Sequence, residues 1–223
     1  MKIAIDGPAG AGKSTVAKAL AAQLHINYLD TGAMYRGIAY ALLQNGVDLK
    51  DHSAVAQQVD SLDMQVVYTE EGQRILVDGE DITPFIRSQE VTIGSSDVAV
   101  VKEVRVKLVD LQRKVAQEFD VVMDGRDIGT HVLPDADVKF YITASAKERA
   151  KRRFLENQQK GIVSDIDQIE KDILYRDKQD SSREFAPLRQ AEDAVYLDTT
   201  QLSLPQVLEC VREHIDKVCG GGQ

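Results

Sequence analysis

Little in this chain could cross-link it or hold a structural metal. Its 223 residues include two cysteines, Cys210 and Cys219, and four histidines, His25, His52, His131 and His214. The cysteines are nine apart in what reads as the last helix. At about 100° per residue they fall on opposite sides of it and do not bridge each other there. That usage fits a reducing compartment, so a cytoplasmic protein is expected. The histidines are scattered without metal-ligand spacing and read as ordinary surface or core residues. No stretch approaches the roughly 18 apolar residues of a membrane span. The opening Met1–Asp6 run is too short for a signal peptide. Basic residues are outnumbered, 27 against 36 acidic, for a net charge of −9, which argues against a general nucleic-acid binder. Internal repeats and low-complexity tracts are missing too. What is present is ordinary for a globular protein: 43% hydrophobic and 28% charged residues. One large α/β domain over 1–223, with a sizeable core, accounts for that length.

Hydrophobic periodicity lays out the elements. Lys2–Ile5 reads as a buried strand ended by Asp6-Gly7-Pro8, and Val16, Ala17, Leu20, Ala21 and Leu24 have helical spacing. Met34–Gln44 predicts a second helix with Gly46 just beyond it. Met64–Tyr68 and Arg74–Val77 flank Glu70-Glu71-Gly72-Gln73, and Asp78-Gly79 makes another turn. That pattern is an antiparallel meander, and it suggests an insert over 58–97. Helical spacing resumes from Gln89 to Phe119, with Gly94 as a candidate break. Val121–Met123 and Val138–Ile142 read as further buried strands. A basic helix is predicted over Ala146–Lys160, another over Asp165–Ser182, then a strand at Ala194–Leu197 and a last helix that Ser203 can cap. Gly220–Gln223 reads as a frayed tail. Strands alternating with helices imply a parallel sheet covered on both faces.

Gly7-Pro8-Ala9-Gly10-Ala11-Gly12-Lys13-Ser14 satisfies G-x-x-x-x-G-K-[ST], between a predicted strand and a predicted helix. A chance match in a chain this long has odds of roughly one in a hundred. Glycines let the backbone turn its N–H groups inward toward phosphate oxygens, and the following helix N-terminus adds positive charge. Lys13 would bridge the β- and γ-phosphates of a nucleoside triphosphate, and Ser14 would ligate Mg²⁺. Asp124, after the apolar run Val121–Met123, would hold the same ion directly or through water. A dinucleotide fold is disfavoured, because Thr15 stands where its third glycine belongs.

The loop alone does not separate switches from kinases. A guanine-specific switch would show Asn-Lys-x-Asp, yet none of Asn27, Asn45 and Asn157 precedes a lysine. Arginines paired with aspartates after strand ends suit a second phosphorylated ligand instead. Asp30-Thr31-Gly32-Ala33-Met34-Tyr35-Arg36 opens a helix, and Asp124-Gly125-Arg126-Asp127-Ile128-Gly129-Thr130 follows a strand. Arg176, Asp180 and Arg183, spaced i, i+4, i+7, would share one helix face. Arg149, Arg152 and Arg153 form a second cluster beside Lys151.

GPAGAGKST, DTGAMYRG, DGRDIGT and RDKQDSSR, in this order and spacing, resemble bacterial-type cytidylate kinases of the P-loop nucleoside-monophosphate kinase family, over nearly the whole chain. The resemblance implies a P-loop NTPase fold with an antiparallel-sheet insert and a short helical lid over 147–164. It implies transfer of the γ-phosphoryl group of ATP to CMP, and to dCMP, with Mg²⁺. A monomer that binds neither nucleic acid nor membrane is expected. It places Gly7 to Thr15 on ATP, and Arg36, Arg126 and Arg183 on the acceptor phosphate. Ser96, Arg105 and Asp127 would read the cytosine, Arg176 and Asp180 would hold the ribose, and Thr31 and Tyr35 would line the same pocket. Lys13, Arg126, Arg183 and a lid arginine, Arg153 or Arg152, would touch the reacting phosphates. Thr31 stands where serine also serves, and Lys178 and Gln179 depart from the family's pattern near the ribose. The residues by themselves leave open a kinase for UMP or a non-nucleotide acceptor, and a nucleotide-binding module without transfer activity.

Overall fold

A computed structural model describes residues 1–219; the tail 220–223, expected to fray, lies outside the described residues. The chain opens with β1 (Lys2–Asp6), α1 (Lys13–Leu24), β2 (Asn27–Asp30), α2 (Thr31–Gln44) and α3 (His52–Val59). Next come β3 (Met64–Thr69), β4 (Gly72–Val77), β5 (Glu80–Asp81), α4 (Gln89–Val98) and α5 (Lys102–Glu118). The second half holds β6 (Val121–Gly125), β7 (Val138–Thr143), α6 (Ala146–Gln159), α7 (Ile166–Ser182), β8 (Val195–Asp198) and α8 (Leu204–Cys219). A five-stranded sheet has the order β2-β6-β1-β7-β8, and a three-stranded one the order β3-β4-β5. The chain divides into two compact units, one of 1–25 with 122–223 and one of 26–121.

In the first unit β1 pairs in parallel with β7, Ile3 opposite Val138 through Asp6 opposite Tyr141. β7 in turn pairs in parallel with β8. Ile3, Ala4, Ile5, Val122, Met123, Phe140 and Ile142 are all buried. Apolar runs such as Ile3–Ile5 and Val121–Met123 are what strands covered on both faces require. Two of this unit's helices, α6 and α7, start where a side chain takes an orphan N–H group. Ser145 accepts from Glu148 N at 3.2 Å before α6, and Asp165 from Gln168 N at 2.9 Å before α7. Ser203 works differently from the cap anticipated for it. Its N–H and hydroxyl both donate to Gln206 Oε1, at 2.9 and 2.8 Å, so glutamine supplies the accepting half of a capping box. Cys210 and Cys219 are free and exposed.

The second unit is built on the antiparallel meander, with Met64 opposite Val77 through Thr69 opposite Gly72. The turn into β5 has positive φ at Asp78 (51°) and Gly79 (84°), the sign pattern of a primed hairpin turn. The predicted long helix over 89–119 is two helices, α4 and α5. Its break falls after Val98, and Gly94 lies inside α4. A Cβ at Gly94 would come within 2.4 Å of Leu49 Cδ1, so glycine is there to let Leu49 in. Neither β2 nor α3 was anticipated. Positions 58 and 97, the limits expected for an insert, fall inside α3 and α4.

Gly37, on the buried face of α2, shows how tightly that helix sits on the meander. A Cβ there would lie 2.8 Å from Met64 Cε and 2.9 Å from Ile75 Cγ2. Met64 can swing away, whereas the Ile75 methyl branches at Cβ and cannot. Gly37→Val should therefore cost about 2 kcal/mol through overpacking, read as a lower urea midpoint. An unchanged midpoint would mean that the α2 interface has room to spare.

Candidate functional site

The phosphate loop leaves β1 through a backbone that only glycine can follow. Gly7 has φ +147°, and a Cβ on it would sit 1.9 Å from the Ile142 carbonyl oxygen of β7. Gly12, with φ +88°, precedes the first turn of α1. Between them the chain curls so that Lys13, 5% exposed, donates from Nζ to Pro8 O at 2.8 Å. Burial above all, and then the Arg126 charge, pull the Lys13 pKa down to about 7 against the opposing pull of Asp124, Asp6 and Asp180. A pocket that disfavours its own lysine charge is one that an anion would relieve.

Ser14 Oγ donates to Asp124 Oδ2 at 2.8 Å, so loop and β6 present a hydroxyl and a carboxylate side by side. Both are hard oxygen donors of the kind Mg²⁺ takes, usually one or two from protein and the rest from phosphate and water. Among the described residues no group of three or more His, Cys, Asp or Glu could hold a metal ion.

Past Asp124 the chain forms a π turn over Ile128–Val132. The Asp127 carbonyl accepts from His131 N at 2.9 Å and Val132 N at 3.1 Å. Such turns recur at functional sites. The turn is anchored from β1, where Asp6 accepts from Ile128 N at 2.8 Å and Gly129 N at 2.7 Å. Arg126, just before the turn, donates from Nε to Asp180 Oδ2 on α7 at 2.6 Å. Arg183 pairs with the other oxygen of the same carboxylate. Burial opposes ionisation of Asp180, but the Arg126 and Arg183 charges outweigh it and hold the carboxyl below its ordinary range. Arg183 is the residue that caps α7, with extended backbone, so the helix face predicted for three side chains carries Arg176 and Asp180 only. Arg183 reaches Asp180 by folding back.

The arginines of α6 divide by direction. Arg149 is buried, with donors on Ala144 O, Ala9 O and Asp177. Arg152 holds Thr199 through Oγ1 at 3.2 Å and O at 2.7 Å, and its Nη1 would lie 3.8 Å from a Cβ on Gly12. Arg153 is half-exposed and pairs with Glu156 at 3.2 Å. Of Arg152 and Arg153, Arg152 is thus the one beside the phosphate loop.

In the second unit Asp30 caps α2 by accepting from Ala33 N at 2.9 Å. Its other oxygen accepts from Arg36 Nη2 at 2.9 Å, and Arg87 stands 3.9 Å from it. Gln73, on β4, clasps the Asp30 backbone, accepting from its N–H at 2.7 Å and donating to its carbonyl at 3.3 Å. Thr31 is buried at the start of α2. Arg105, 1% exposed, donates to Ala99 O at 3.4 Å and stands 5.8 Å from the Tyr35 ring centre. Ser96 is half-buried on α4, which packs against α2. Within this unit the structure thus brings Thr31, Tyr35, Arg36, Ser96 and Arg105 onto α2 and its neighbours α4 and α5. Within the first it gathers the loop, Asp124, Arg126, Asp127, Asp180 and Arg183.

The Cytidylate kinase family model matches residues 3–217. The chain belongs to the cytidylate kinase family. It is 54% identical over 218 residues to a cytidylate kinase of Exiguobacterium sp., covering 98% of this chain and 97% of that protein. It is 47% identical over 217 residues to the Bacillus subtilis cytidylate kinase, covering 97% of each. A crystal structure of an uncharacterized protein from Eubacterium ventriosum aligns over 97% of this chain and 98% of its own, with TM-score 0.56 and 14% identity. That is a likeness of fold alone.

In this family member sequence reasoning missed Asp6, Gln73, Arg87, Arg149's contacts and Asp177. The one available signal was a charged residue, Asp6, closing an otherwise apolar strand. Burial pushes the Asp6 pKa from 3.8 up to about 7, more than its two amide hydrogen bonds and Lys13 pull it down. Between roughly pH 4 and 7 the folded chain therefore keeps a proton that the unfolded chain has released, so this group's contribution to stability falls as pH rises and is level above that window. Urea unfolding at roughly pH 5 to 8 should show wild type losing stability relative to Asp6→Asn up to about pH 7. A difference that is flat, or that grows in favour of wild type, would contradict the assignment.

Proposed function

We propose that this protein transfers the γ-phosphoryl group of ATP to CMP, giving CDP and ADP, with dCMP as a second acceptor. The observation that carries the reading is the pairing of a glycine-bounded loop around buried Lys13 with Arg126 and Arg183, gathered on one carboxylate in the same unit. Membership of the cytidylate kinase family supports it over a kinase for another acceptor or a module without transfer activity.

Main-chain N–H groups from Gly7 to Ser14, with Thr15 at their edge, bind the donor phosphates, and Lys13 exchanges Pro8 O for a phosphate oxygen. Ser14 and Asp124 would hold Mg²⁺, which when bound neutralises phosphate charge. Arg36, Arg126 and Arg183 bind the acceptor phosphate, leaving the carboxylates that hold them here. The attacking group is a phosphate oxygen, anionic at neutral pH, so no general base is required. Catalysis is positioning and charge neutralisation by Lys13 and the arginines. Of the two lid candidates, the placement of Arg152 beside Gly12 supports it more directly than Arg153.

Cytosine presents an N4 amino donor and N3 and O2 acceptors. Asp127 accepts from N4, while Arg105 and Ser96 serve the acceptors; Arg176 and Asp180 hold the ribose, and Thr31 and Tyr35 line the pocket. Uracil would set O4 against the Asp127 carboxylate, leaving buried groups unpaired. We assign 58–97 to an acceptor-binding insert, supported by the meander over 64–81, and 147–164 to a lid, supported by the exposed Ile162 and Val163 at the α6–α7 turn. Closure before chemistry would exclude water as a competing nucleophile. A cytoplasmic setting is supported by the acidic balance and by free cysteines. Among the described residues no helix is long and apolar enough to cross a membrane.

The test is ADP release with CMP, dCMP, UMP and AMP as acceptors, for wild type and Asp127→Ala. CMP should be the best acceptor, and the variant should lose about a hundredfold in kcat/KM for CMP over UMP. Equal use of all four by wild type would defeat the reading, and an unchanged ratio in the variant would show that the base is read elsewhere.

A further inference from the structure

Phosphate transfer gives the buried charge of Arg149 no task. Arg149, the fourth residue of α6, is 5% exposed although it is long and cationic. Every arm of its guanidinium is used. Nε donates to Ala144 O at 2.8 Å, just before α6. Nη1 donates to Ala9 O at 3.0 Å, in the phosphate loop 140 residues away in sequence. Nη2 donates to Asp177 Oδ2 at 2.6 Å, on α7. The side-chain stem lies under the same loop, since a Cβ on Gly10 would be 3.4 Å from Arg149 Cβ.

The contact to Ala9 has a consequence for the loop's interior. The Ala9–Gly10 peptide is trans, so its carbonyl and its N–H point in opposite directions. A guanidinium that fixes the Ala9 carbonyl on the outside fixes the Gly10 N–H facing away from it, inward, where a phosphate oxygen would need a donor. A free peptide at a glycine can rotate, because the residue on its far side has access to both signs of φ. Arg149 removes that freedom before any nucleotide arrives. Asp177 completes the device. Its second oxygen is buried and accepts no hydrogen bond among the described residues, so the carboxylate is turned to Arg149 and keeps the guanidinium from swinging off the loop. Asp177 also stands between Arg176 and Asp180 on α7, so the same ion pair ties the loop to the helix proposed to hold the acceptor's ribose.

We infer that Arg149, braced by Asp177, is a positioning residue that presets the Ala9–Gly10 peptide of the phosphate loop for the donor nucleotide. The inference rests on the ATP site proposed above, and it concerns the donor and not the acceptor.

Arg149→Lys keeps the charge but cannot reach three acceptors at once, and Asp177→Asn keeps an acceptor while removing the brace. Both are assayed for KM and kcat with CMP and ATP, and for ADP affinity by calorimetry, with Tm recorded. Arg149→Lys should raise KM for ATP and Kd for ADP by about tenfold or more, with KM for CMP within about twofold of wild type. Asp177→Asn should move the same two constants by a smaller factor, and the double variant should be no worse than Arg149→Lys, as expected of residues acting through one contact. A merely structural role would lower Tm and the active fraction while leaving KM for ATP and Kd for ADP where they were, and that outcome overturns the inference. So do additive effects in the double variant. Should Arg149→Lys not fold, Asp177→Asn carries the test alone, and unchanged donor constants in it are a refutation. If wild type fails to phosphorylate CMP, the acceptor reading is wrong, yet ADP affinity in the variants still decides the role of Arg149.

Discussion

The passage of the chain out of β1 past the Ile142 carbonyl is the constraint on which the site depends. With 1.9 Å between that oxygen and any Cβ on Gly7, the strand can continue only as glycine. Because β1 and β7 are hydrogen-bonded in fixed register through Asp6, the clash is relieved by displacing the loop that follows and not by moving the strands. That exit sets the curl of the loop, the start of α1 at Lys13, and the burial of Lys13 against Pro8. Asp6, one residue earlier, uses the same strand end to hold the π turn that comes after Arg126 and Asp127. One strand terminus thus places main-chain donors on one side and the root of an arginine on the other.

Charge is arranged around this exit so that it is uncomfortable without a ligand. Lys13 is buried and faces Arg126, and its pKa is depressed to about 7 as a result. Asp6 is buried and faces Asp127, and its pKa is raised to about 7. Arg126 and Arg183 meet on a single carboxylate, that of Asp180. Arg36 rests on Asp30. Each of these arginines is paired with an internal carboxylate, whose place a phosphate would take under the proposed function. Such an exchange would keep the cations paired throughout, so binding would not require an isolated buried charge. Arg149 is different in kind, because its partners are two carbonyls and one carboxylate outside that set.

The parts legible in the sequence were those whose logic is local. The phosphate loop is contiguous, its glycines and lysine are fixed by spacing, and the flanking strand and helix announce themselves by period. The meander was legible from its turns. The Asp30 segment read as a helix start, and a cap is local in the same way, since Asp30 acts on a residue three positions away. Elements too short to show a period were not legible: β2 is four residues, Asn27–Asp30, and α3 is eight. Gly94 misled because glycine serves packing as well as breaking, and nothing local reveals that Leu49 occupies its missing side chain. Arg183 kept its spacing to Arg176 and Asp180 but not its helix, since a helix end depends on the chain beyond it. Asp6, Arg149 and Asp177 were invisible as a group. Their partners lie 123, 140 and 28 residues away, and only the folded sheet brings them together.

The central claim is that donor binding depends on the backbone path that Gly7 alone permits. Calorimetric titration of ATP into Gly7→Ala beside wild type, with circular dichroism and Tm recorded for both, tests it most directly. Loss of ATP binding by about a hundredfold or more, in a variant that remains folded, is the result this account predicts. ATP binding at wild-type affinity by Gly7→Ala would contradict it, because the loop would then form without the exit that the sheet imposes.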